Sequence, residues 1–199
     1  NEKCPDPLPN TFDPDVQWWE NYMGPNGNQS ADFDYPIVDF LQDSRKVWES
    51  EDSIFRAKSG STDGASSSGG ASPVTGEGKV FLWYQDPSLH VDGFAPDIVL
   101  AVDATDGHTV WKVNLGMTPH DASGKNFTYN QTPCYAHGRL YVAGGGGALY
   151  CLRASDGHLI WEGKTSQALA ASGLMEIGGA LVAGMGGGRA NSDANLGAY

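Results

Sequence analysis

Ile98–Trp111 reads IVLAVDATDGHTVW, and Ala148–Trp161 reads ALYCLRASDGHLIW. In each, an apolar run leads to an alanine, a short polar turn closes on Asp-Gly-His, and an apolar pair precedes a tryptophan. Ala104, Asp106, Gly107, His108 and Trp111 stand in register with Ala154, Asp156, Gly157, His158 and Trp161. Repetition of this kind governs the reading of everything around it. The short apolar runs on either side of the polar turn predict two strands joined by a hairpin. The glycine supplies the positive φ that a tight hairpin needs. The tryptophan adds a broad flat surface that one sheet cannot bury by itself, so each unit needs a neighbour.

The pattern extends outward from these two copies. Upstream of the first lie Pro73–Thr75, a turn at Gly76–Gly78 and the strand-like KVFLWY of Lys79–Tyr84. Ser88–Asp97 interrupts as a long loop before Ile98–Asp103 and Thr109–Val113 complete four predicted strands. A second long loop, Thr118–Thr128, follows. Thr132–Ala136, Arg139–Ala143, Ala148–Arg153 and Leu159–Glu162 then make a second set of four, with turns at His137-Gly138, Gly144–Gly147 and Asp156-Gly157. A third set starts at Ala171–Ile177, continues as Ala180–Ala183 and reaches Leu196–Tyr199. A unit of about 40 residues holding four short strands is a propeller blade. The predicted fold class is therefore all-β: a β-propeller of four-stranded antiparallel blades, present as a partial ring. Residues 73–199 carry two complete blades and one partial blade. Residues 1–35 form an extended leader with an aromatic anchor at Trp18, Trp19 and Tyr22, residues 36–58 a closing outer strand, and residues 59–72 a Gly/Ser linker or loop.

Charge narrows the partners. Against 12 Lys and Arg stand 24 Asp and Glu, a formal net charge of −12. Such a surface repels nucleic-acid phosphates and anionic lipid. No apolar run is long enough to cross a membrane as a helix. The 27 glycines and 11 prolines fall between apolar runs, as in a protein of short strands and tight turns. Of the three cysteines, Cys134 and Cys151 belong on strands separated by a third. That separation of about 10 Å exceeds the span of a disulfide. Cys4 lies in the leader and could pair outside the chain.

Few residues point to chemistry. None of the five histidines has a His or Cys at metal-ligand spacing. Asp13/Asp15 and Asp32/Asp34 lack the glycine and distal glutamate of a calcium loop. No Gly-x-Ser-x-Gly elbow is present. Three Asn-x-Ser/Thr sequons make Asn28, Asn126 and Asn130 candidate glycosylation sites. The structural repeat is carried by Asp103, Gly107, Trp111, Gly157 and Trp161.

The segments GASPVTGEGKVFLWY, AVDATDGHTVW, CLRASDGHLIW and SGLMEIGGALVAG resemble repeats of the PQQ-like (quinoprotein alcohol dehydrogenase-like) β-propeller family. Ala101, Asp103, Gly107 and Trp111 match its A-x-D-x-x-x-G-x-x-x-W signature. The second copy departs from it at Cys151 and Arg153. The resemblance implies a closed ring in which an N-terminal strand, here Lys46–Glu49, completes the last blade. A chain with two whole blades then reads as a piece of a longer protein, or as a unit whose copies close the ring. The family's dehydrogenases use PQQ, Ca²⁺, adjacent cysteines, a Trp floor and a catalytic Asp, and no adjacent cysteines occur here. The expected function is a secreted or periplasmic, non-catalytic binding or assembly scaffold with no cofactor and no catalytic or metal residue. Loops Ser88–Asp97 and Thr118–Thr128 would face its protein partners. The alternatives are a fragment of a PQQ- and Ca-dependent quinoprotein dehydrogenase and a structural subunit of an extracellular assembly. Expected partners are proteins, or further copies or segments completing the ring, without nucleic acid or a membrane span.

Overall fold

The computed structural model describes residues 46–52, 72–86, 89, 91–119, 132–164, 169–177, 180–185 and 195–198. The first sheet comprises β1 (Val74–Gly76), β2 (Lys79–Gln85), β3 (Phe94–Asp103) and β4 (Thr109–Pro119). The second comprises β5 (Cys134–Ala136), β6 (Arg139–Ala143), β7 (Ala148–Arg153) and β8 (Leu159–Lys164). Both run in simple sequence order, every neighbour antiparallel. β9 (Leu169–Ile177), β10 (Ala180–Met185) and β11 (Asn195–Ala198) form a third sheet of three strands. These are blades, and the described residues include no helix suited to spanning a membrane.

The turn chemistry separates two kinds of hairpin. Glu77-Gly78 and His137-Gly138 have positive φ at both residues, the type I′ geometry that matches strand twist. The Asp-Gly turns are wider. Gly107 N–H bonds the carbonyl of Asp103, Asp103 N–H bonds that of His108, and the register shifts by a bulge just before Trp111. Gly157, Arg153 and His158 repeat those bonds, and Gly107 and Gly157 have φ of 78° and 73°.

The first two blades stack face to face. Phe81, Trp83, Val99, Ala101 and Trp111 of one meet Leu140, Val142, Tyr150, Leu152 and Ala154 of the next. Phe81 stacks on Tyr135 with centroids 5.9 Å apart and planes 9° from parallel. The opposite face of the first blade buries Ile98, Leu100 and Val102 with Trp48 against them. With both faces covered, β3 is buried along almost its whole length. That explains why its sequence is a continuous apolar run instead of an alternation. Trp83 Nε1 is buried without an acceptor among the described residues.

Several boundaries differ from expectation. β3 begins at Phe94 and β4 continues to Pro119, so the loops expected at Ser88–Asp97 and Thr118–Thr128 give up their inner ends to the sheet. Phe94 pairs with Pro119 and Ala95 with Thr118, and shifts of register carry the ladder past irregular stretches that read as loop. Lys46–Glu49 lies alongside the first blade without strand pairing. Cys134 and Cys151 both sit opposite Tyr141, one strand on either side of it, and both are buried and outside any disulfide.

Candidate functional site

The blades carry repeated groups in two places. The first is the Asp-Gly turn. Asp106 Oδ1 accepts the His108 N–H at 3.0 Å and stands 2.6 Å from His108 Nδ1. Asp156 accepts the His158 N–H at 3.0 Å in the same way. These are Asx turns, which favour Asp for its short acceptor arm. Asp103 accepts the Thr105 N–H at 2.8 Å. Hydrogen bonds from His108 hold the Asp106 carboxyl below its usual range, and Asp106 raises the His108 imidazole in return. Ligand atoms of Asp103, Asp106 and His108 fall within 4.8 Å of one another, a grouping the sequence reading did not single out. Turn capping accounts for that closeness. In the second copy Arg153 stands where Asp103 does and pairs with Asp156 at 2.8 Å.

The same turns receive the tryptophans. Trp111 Nε1 donates to the Ala154 carbonyl at 3.0 Å, and a Cβ on Gly157 would meet the Trp111 ring at 2.7 Å. Trp48 repeats this one blade earlier: its Nε1 donates to Ala104 O at 3.0 Å, and a Cβ on Gly107 would collide with its ring. Glycine is thus required twice over, by φ and by the close approach of an indole. Asp52 reinforces the Trp48 segment, accepting from Thr109 Oγ1 and Lys112 Nζ, each at 2.8 Å. Trp161, at the position of Trp111, is 37% exposed and tilts against Tyr141 at 6.3 Å.

The second place holds the least expected feature. Asp97 is fully buried at the joint between the first two blades. Its carboxylate takes the Gly145 N–H at 3.1 Å, from the 3-10 turn Gly145–Gly147 of the second blade. A Cβ on Gly144 would run into its Oδ2. Gln85 Nε2 donates to Thr118 Oγ1 at 2.6 Å beside it. Burial pushes the Asp97 carboxyl up to about 6, against the pull of hydrogen bonds from Thr118, Gln85, Gly145 and Tyr150. Tyr150 is itself driven well above the usual phenol range, first by burial and then by the Asp97 charge. Asp97 and Thr118 had been expected in partner-facing loops, and the extended β3–β4 hairpin encloses both instead. In sequence, the only sign was an acid inside an apolar run, Pro96-Asp97-Ile98. Asn28, Asn126 and Asn130 lie outside the described residues.

Among the described residues, the acids and cysteines of the first two blades each have a place in the packing or the turns. Asp97 has its oxygens engaged and enclosed, the turn acids are committed to capping, and Cys134 and Cys151 sit on strands kept apart by β6.

Four-stranded antiparallel blades that stack face to face define a β-propeller architecture. Residues 96–193 match the family model PQQ_2, described as outer membrane protein assembly factor BamB. Over those residues the chain is similar to PQQ-like propeller repeats. Among solved structures it is similar to a europium-containing methanol dehydrogenase, with 16% identity over 64% of this chain and 22% of that one, at a TM-score of 0.47. The quinohemoprotein alcohol dehydrogenase of Comamonas testosteroni matches at 19% identity over 65% and 19%, with a TM-score of 0.47. BamB of Moraxella catarrhalis matches at 14% identity over 57% and 39%, with a TM-score of 0.33. The chain thus spans well under half the length of each of these proteins. No curated protein matches it.

Proposed function

We propose that this chain is part of a secreted or periplasmic PQQ-like propeller that acts as a binding or assembly scaffold without catalysis of its own. The use of the repeat residues carries this reading. Trp111, Gly157 and Ala154 are spent on joining one blade to the next, while Asp97 is enclosed between the blades. The match to a family described as an assembly factor favours the same reading. Partners would meet the segments read in sequence as the loops Ser88–Asp97 and Thr118–Thr128, apart from the ends that β3 and β4 take up, because contacts concentrate on loops carried by a rigid frame.

The test is dye-linked alcohol oxidation by the whole protein after loading with PQQ and Ca²⁺. Under the scaffold reading the protein gives no turnover and retains no PQQ absorbance after gel filtration. Turnover that depends on both additions would overturn it in favour of a quinoprotein dehydrogenase. Cell fractionation tests the compartment, and recovery in the cytosol alone would overturn that part.

A further inference from the structure

We propose that Asp97 and the Gly144–Gly147 loop form a proton-operated latch between the first two blades: the loop is shut over the neutral carboxyl and lifts to admit water when the carboxyl ionises. Both halves of the latch are built for close contact. The acid comes from β3 of one blade, at 0% exposure. The lid is a run of four glycines in the next blade, and its Gly145 N–H reaches both carboxyl oxygens, at 3.1 and 3.4 Å. Only glycine fits at 144, because a Cβ there would occupy the space of Oδ2.

The surroundings hold the acid without a counter-charge. β2 contributes Gln85, β4 contributes Thr118 and β7 contributes Tyr150, all uncharged. Thr118 Oγ1, which accepts from Gln85 Nε2, keeps a second lone pair for a carboxyl proton. The charge that bears on this cluster from outside is an acid: Glu162 on β8 acts on Tyr150. Among the described residues no cation is a partner of Asp97. An ionised carboxylate enclosed by neutral donors is poorly solvated, so ionisation favours any state that exposes it to water. On opening, the acid proton passes to solvent and the Gly145 N–H turns to water.

The sign and size of the effect follow from linkage. Asp97 titrates at about 6 in the closed state and near 3.8 when solvated. The opening equilibrium of the loop therefore rises about tenfold per pH unit between these values. It levels off above pH 6.5 at about a hundredfold over its value in acid.

The experiment is amide hydrogen exchange of Gly145 in the whole protein from pH 4 to 8, corrected for intrinsic rate, in wild type and Asp97→Asn. The expected result is a protection factor that falls about a hundredfold with a plateau above pH 6.5, and a flat profile in the variant. A flat wild-type profile, or a fall that persists in Asp97→Asn, overturns the proposal. Should the variant fail to fold, the wild-type Asp97 carboxyl ¹³C and Gly145 amide resonances decide the matter. A shared midpoint near 6 supports the latch, and different midpoints overturn it.

Discussion

Trp111 reaches across from one blade to donate its indole N–H to the carbonyl of Ala154 in the next, at 3.0 Å, with its ring laid on the Gly157 turn. The contact joins a directional hydrogen bond to a large apolar burial. Truncation of Trp111 to Ala should therefore cost about 3–5 kcal/mol. Trp111→Phe keeps part of the burial and loses the bond, and should cost less. Trp161→Ala, at the equivalent but 37% exposed place, should cost least. Urea unfolding midpoints of the three variants check this order.

Gly157→Ala brings a methyl group to 2.7 Å from the Trp111 ring at a φ of 73°. It should cost more than about 1 kcal/mol from backbone strain alone. In combination with Trp111→Ala the total loss should be smaller than the sum of the two, because removing the ring leaves only the Val113 Cγ2 contact, at 2.8 Å, in the way of the new methyl. A double-mutant cycle by chemical denaturation measures the coupling. Strict additivity would mean that ring and glycine are independent.

Asp52 ties the Trp48 segment to β4 through Lys112 and Thr109, and hydrogen bonds from those two residues lower its carboxyl. A lowered folded value contributes stability above the unfolded value of 3.8 and loses it as pH falls through the folded one. The pair is partly exposed, so the contribution is about 1 kcal/mol or less. Trp48 fluorescence should shift toward that of exposed indole below pH 4. Asp52→Asn should show the shift already at neutral pH.

Trp83→Phe removes a buried N–H that has no acceptor among the described residues. Leaving such a donor unpaired costs about 1–3 kcal/mol, so the loss of ring area is offset. The variant should fall within about 1 kcal/mol of wild type by thermal melting.

The blades were legible in sequence because their determinants are local. The alternation in KVFLWY, the paired Asp-Gly turns and the recurrent tryptophan each declare strand, hairpin and outer strand within a few residues. The place of Cys134 and Cys151 on strands flanking a third followed from the same grammar. The Asp97 cluster was not legible. Its members, Gln85, Asp97, Thr118, Gly145 and Tyr150, come from four strands and a turn of two blades, and no spacing connects them. The ends of β3 and β4 were missed for a related reason. Val91-Asp92-Gly93 reads as a loop, and the Asp92-Gly93 turn with φ of 49° and 82° in fact sits at the end of a longer ladder. Trp48 was read as part of a lone outer strand, and the contacts that hold its segment, a bond to Ala104 and the reach of Asp52 to Thr109 and Lys112, join residues more than 50 positions apart that no local pattern connects.

The joint that Trp48 makes with Gly107 is the one Trp111 makes with Gly157, and it points the same way. The first blade therefore offers a tryptophan forward, Trp111, and a glycine turn backward, at Gly107, like a plug and a socket on opposite sides of one part. Parts so made are interchangeable along the array. A gene duplication that inserts one whole blade of this kind between two others replaces one such joint with two of the same kind. A change of one residue in plug or socket, by contrast, must be matched at its mate.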